Sequence, residues 1–230
     1  MNFMRMADGL AHTVYQFIVL SILWFMLDLP YAALMMMVSY AKTPDEIKSI
    51  TLLAVALIPF VLSPALVVVD RVIRRFRAEP EGVPTKLIPF ICSSYRQNYW
   101  ASCAVGAVYA VMIGLIANAA LVYGAQFAIL FWVYALFFGL TAFSYLMSLA
   151  FVAGRNETFG QYLKNGLLVT LGNPLKAVLG IGLVGAAVYL TFHSTLFPIV
   201  FFFLPAVIGK FAQAVYQHTI AKLINIKEAN

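Results

Sequence analysis

The sequence predicts an all-α polytopic membrane protein: six transmembrane helices with two interfacial amphipathic helices on the cytoplasmic side, in one integral membrane domain over residues 1–230. Three observations predict it. Apolar residues make up 63% of the chain and charged residues 10%, with a mean hydropathy of +0.91, whereas soluble domains run at roughly 45–50% and about 25%. Six apolar runs each approach the roughly 20 residues that a helix needs to cross a bilayer. The Lys and Arg residues gather at the ends of those runs, as topology signals do.

The first run, Thr13 to Val38, is long for one straight crossing. It contains Pro30, which cannot donate to the carbonyl of Met26 and so predicts a kink. Asp28, just before it, is the one carboxylate inside a span. An intramembrane acid is costly unless paired, protonated or wet, and so is a functional candidate by default. Two readings stand: a proton or cation site, or a structural acid toward the outer leaflet that hydrogen-bonds Ser, Thr or Tyr hydroxyls near the kink. His193 is a candidate partner, while His12 and His218 read as interfacial.

The second run, Ile50 to Val69, carries Pro59 and Pro64 and passes into Arg71, Arg74, Arg75 and Arg77. These arginines mark the cytoplasmic end of the span, and at helical spacing they could also hold anionic lipid heads or an acidic partner loop. From Pro84 to Tyr99, Leu87, Phe90, Ile91 and Tyr95 recur at helical spacing, which predicts an interfacial helix ending near Asn98.

The third run, Trp100 to Tyr123, places Ser102, Gly106, Ala110 and Gly114 on one face, with Asn118 completing the stripe. Small residues there let a second helix approach closely, either within the protein or from a partner. The fourth run is Phe127 to Val152. A second amphipathic stretch, Glu157 to Thr170, carries Phe159, Tyr162, Leu163, Leu167 and Leu168, and Asn173 with Pro174 is a good helix start. The fifth run, Pro174 to Phe192, has a shorter small-residue face in Gly182 and Ala186. The sixth, Leu196 to Tyr216, is interrupted by Pro198 and Pro205. Span, basic loop, interfacial helix, Asn and span thus occur twice, as in a parallel internal repeat.

With both termini in the cytoplasm, thirteen of the fifteen Lys and Arg residues lie inside and two, Lys42 and Lys48, lie outside. That asymmetry sets the orientation. The first apolar run follows one Arg and lacks a small-residue cleavage site, so it reads as retained in the membrane. The net charge of +6 goes to orientation and anionic lipid, and no nucleic-acid partner is expected. Cys92 and Cys103 stand in no metal-like spacing and read as reduced thiols. The chain has no HExxH, GxSxG or Walker sequence and no paired carboxylates. Neither catalysis nor ATP hydrolysis is expected, and no metal or cofactor is implied.

Four segments carry a resemblance. LSILWFMLDLPYAAL resembles the Trp-containing, Leu-Pro-terminated first span of the YesL-like bacterial membrane proteins, a family of unknown function. SPALVVVDRVIRRFR is similar to that family's Pro-Ala element running into a basic helix end. FICSSYRQNYWASCAVG resembles its approach to the third span, and YLKNGLLVTLGNPLKAVL its Leu-Lys-Asn and Asn-Pro segment. Ser21 stands where the family usually has Asn. The resemblance implies a bacterial plasma membrane protein without catalytic residues, often encoded beside carbohydrate ABC transporters. The first reading is therefore a non-catalytic accessory or assembly partner of a carbohydrate-uptake ABC permease. The second is a small secondary transporter or channel using Asp28 and the proline-broken helices, and an intramembrane enzyme ranks third. Oligomeric state is left open.

Overall fold

A chain this apolar has two ways to satisfy its backbone in lipid, helices or a closed barrel, and the computed structural model is helical. It describes residues 3–78, 86–123, 128–193 and 197–228, among which there is no strand. The order is α1 (Phe3–Leu27), α2 (Leu29–Tyr40), α3 (Pro44–Leu57), a π turn (Ile58–Leu62), α4 (Ser63–Ala78), α5 (Leu87–Tyr123), α6 (Ala128–Gly154), α7 (Phe159–Gly172), α8 (Pro174–His193) and α9 (Phe197–Glu228). Three stretches of the described residues are long and apolar enough to cross a membrane: Asp45–Ala78, Leu87–Ala120 and Ile129–Gly154. Ala11–Leu27 is a shorter apolar helix. The chain is a membrane-associated helical protein.

Proline decides where the rods break. The first apolar run is interrupted at Asp28, whose N–H still bonds the Trp24 carbonyl at 2.8 Å. Pro30 falls in the first turn of α2, where its missing donor costs least. The junction between α2 and α3 is a helix start: Thr43 caps α3 in a reciprocal box with Glu46, and Pro44 opens the helix. Asp45 and Glu46 thus favour the helix N-terminus as well as offsetting Lys42 and Lys48. Farther along, the Ser63 N–H and hydroxyl both bond the Ile58 carbonyl, five residues back, and this makes the π turn. Pro59 within it and Pro64 just after it supply no donors to an ordinary α ladder.

The predicted interfacial helix before the third span is not a separate element. Residues 87–123 form one helix, because nothing after Pro89, in the first turn, breaks the ladder. Asn98 caps nothing: its side-chain amide bonds the Ser94 carbonyl four residues back. The second amphipathic stretch does form its own helix, α7, where the Thr158 N–H and hydroxyl donate to Gln161 Oε1. The two copies of the proposed repeat therefore differ, since Asn98 lies within a helix and Asn173 ends one. Tyr162, Gly166, Val169 and Thr170 of α7 are buried, and Leu167, Leu168 and Leu171 face outward.

Helix α4 lies between two apolar clusters. Val67 belongs with Val105, Tyr109, Met147 and Phe151, in a cluster that reaches Tyr162 of α7 and Tyr216 of α9. Val68, Val72 and Phe76 belong with Leu20, Leu23 and Trp24 of α1 and Ala206 of α9, and Phe90, Ile91 and Tyr95 of α5 pack against them. The helix that ends in the arginine run is thus the centre of the molecule.

Candidate functional site

Asp28 is 0% exposed. Neither carboxyl oxygen has a hydrogen-bond partner among the described residues, which corrects the expectation that nearby hydroxyls would hold it. It lies in electrostatic range of the Tyr31, Tyr95 and Tyr145 hydroxyls. Ser21, two helical turns earlier on the same face of α1, is also fully buried with its hydroxyl unbonded. The side chain of His193, the partner considered from sequence, lies outside the described residues.

Hydroxyls continue inward from this break. Ser63, at the end of the π turn, bonds Tyr145 at 2.7 Å, and Tyr109 bonds Ser144 at 2.7 Å and Ser148 at 3.0 Å. The Tyr109 and Tyr145 rings pack with centroids 5.4 Å apart. These five residues tie α4, α5 and α6 together, each bond worth about 0.6 kcal/mol in membrane helices. Sequence reading missed them. Their signal was Ser144 and Ser148 at four-residue spacing in an otherwise apolar span.

The four arginines do different things. Arg74 turns inward: Nε bonds Asp70 at 2.9 Å, Nη2 bonds the Ala150 carbonyl at 2.7 Å, and the guanidinium lies 4.4 Å from the centre of the Tyr216 ring. Gly154 makes room for it, since a Cβ there would lie 2.8 Å from the guanidinium carbon. Arg71 bonds Gln97 at 3.1 Å, and Arg75 stacks 4.7 Å from the centre of the Phe90 ring. Arg77 is exposed. The run is thus largely a brace between helices, with Arg77 the most open to an anionic group.

The two small-residue faces also part company. Ser102, Gly106 and Ala110 are buried. A Cβ on Gly106 would overlap the Ser63 hydroxyl and come within 2.8 Å of the Pro59 backbone, and Gly114 faces Val55 at 3.5 Å. This stripe is consumed by packing on the π turn and α3. On α8, Gly182, Gly185 and Ala186 are exposed, with nothing within 4 Å of a Cβ built on either glycine. Leu175, Val178 and Leu179 extend this open face. Beside it, α6, α8 and α9 form a half-open apolar pocket of 240 Å³ lined by residues that include Phe138, Phe143, Ile181, Ile208 and Phe211.

Lys210, inside the last apolar run, is held by Gln16 Oε1 at 3.1 Å and lies 4.1 Å from the centre of the Phe17 ring, linking α9 to α1. Cys92 is exposed and Cys103 buried, both free. Among the described residues no group of three or more His, Cys, Asp or Glu side chains could hold a metal. No family model matches this chain, and no curated protein or solved structure does either.

Proposed function

We propose that the protein is a non-catalytic accessory or assembly partner of a carbohydrate-uptake ABC permease in the bacterial plasma membrane. It would cross the membrane six times with both termini in the cytoplasm. The uncovered small-residue face of α8 carries this reading. Gly182, Gly185 and Ala186 are open on a helix whose neighbours cover its other side, and such faces admit a second helix at close range. The third-span stripe, already spent on the π turn, is not part of the docking surface. Arg77 would meet anionic lipid at the inner surface, and the resemblance to YesL-like proteins supplies the permease as the partner. A photo-crosslinking residue placed at Gly182 or Ala186 in native membranes is expected to join to a permease subunit. The same residue at Val111, an exposed position on α5, is expected not to. Equal capture from both faces, or none from α8, would remove the proposal.

A second reading, a small secondary transporter, draws on Asp28. A buried acid with no hydrogen-bond partner among the described residues, beside a broken helix, suits the ion handling of coupled transporters. It predicts substrate flux by the purified protein in proteoliposomes, lost in Asp28→Asn. No flux from the unmutated protein sinks it.

A further inference from the structure

We propose that the Asp28 carboxyl binds a small monovalent cation taken from solution, a proton or an alkali-metal ion, at the break between α1 and α2. Its burial is complete, and neither oxygen is bonded to any described residue. A bare carboxylate cannot be kept in such a place, because burial removes the hydration that stabilises its charge. Something must neutralise it.

Among the described residues no Lys or Arg forms an ion pair with Asp28. Arg74 is bound to Asp70 and the Ala150 carbonyl, Arg71 to Gln97, and Lys210 to Gln16. Among the described residues, the ionisable groups in electrostatic range of Asp28 are Tyr31 on α2, Tyr95 on α5 and Tyr145 on α6. Cys103 of α5 lies near Tyr145, which is itself bonded to Ser63 at the start of α4. None of these is a cation. No described residue therefore supplies the neutralising charge, which on this proposal is taken from solution.

The surroundings suit a single charge. With no cluster of three acidic or other metal-ligating side chains among the described residues, one carboxylate balances one unit of charge and a divalent ion would be left in excess. Pro30 cannot donate to the Met26 carbonyl, so the break leaves a backbone oxygen without its helical donor within two residues of Asp28. Carbonyls at interrupted helices are the usual ligands of alkali ions in membrane proteins. If the ion is a proton, water supplies it and an O–H bond forms on one carboxyl oxygen. The inference deepens the transporter reading without requiring transport: binding without flux leaves it intact and removes that reading.

The test is infrared spectroscopy of the purified, unmutated protein labelled with ¹³C-aspartate, which marks four residues, together with Asp28→Asn. A labelled carboxylic-acid band at neutral pH that disappears in the variant assigns a proton. No acid band, but a rise in unfolding temperature of about 2–4 °C with sodium or potassium that the variant lacks, assigns an alkali ion. Should Asp28→Asn not fold, Asp28→Glu keeps an acid at the position but removes its ¹³C-aspartate label, so a labelled acid band lost in that variant still belongs to Asp28, and one that persists there does not. An ionised Asp28 indifferent to both ions overturns the proposal.

Discussion

Arg74 is the residue on which most of the basic end of α4 converges, joining its own helix to α6 through a carbonyl and to α9 through a ring. Removing it leaves Asp70, a residue 8% exposed, without its ion pair. Arg74→Ala is expected to cost about 1.5–3 kcal/mol, the range for losing a hydrogen bond to a charged group, in this part-buried pair. Arg74→Lys should recover only part of that, because an ammonium cannot reproduce the fork that reaches the carboxylate and the carbonyl together. Thermal unfolding in detergent measures both, with Arg77→Ala as the near-neutral comparison. In sequence the four arginines were equivalent, as members of one basic run. What separates them is which side of α4 meets α6, a tertiary fact that periodicity does not carry. That Asp28 is an acid in costly apolar surroundings was legible for the opposite reason, since that cost depends on neighbouring apolar residues that the sequence does display.

Among the helices, the two small-residue faces make a paired prediction. Gly106→Ala is expected to destabilise the protein by about 1–3 kcal/mol, as overpacking does, because one of the atoms it meets is backbone and cannot swing aside. Gly182→Ala meets nothing and should change stability by less than about 0.5 kcal/mol. Unfolding temperatures that move together would show that the two faces are not used differently. The stripes look alike on a helical wheel, so this difference was hidden in sequence. Breaks were read more successfully: Pro30 and the Asn173–Pro174 pair both fall at helix junctions. Asn98 misled because a side-chain amide caps a helix in some settings and bonds back along one in others. The π turn had no sequence signal beyond Pro59 and Pro64, which are equally compatible with a simple kink.

For the molecule as a whole, composition alone was enough for the helical, membrane-associated architecture, because backbone satisfaction in lipid admits few alternatives. The threading of six spans is a stronger proposal and rests on charge asymmetry. In a background with Cys92→Ser and Cys103→Ser, a cysteine at Lys48 is expected to react with an impermeant maleimide on intact cells. One at Arg77 is expected to react only after permeabilisation. Labelling of the Arg77 position from outside would reverse the orientation and strip the basic end of its cytoplasmic setting.

The five-residue spacing of the bond from Ser63 to Ile58 has one more implication. A π turn holds one residue beyond what a regular ladder needs, so it acts as slack in the thread. With Val61 deleted, Ser63 would stand four positions after Ile58, and the same donor and acceptor would close an ordinary α-helical ring. Both flanking helices would keep their present bearings. The same excision at Val67, where there is no slack, would swing one flank by about 100° relative to the other, carrying buried valines out toward the lipid.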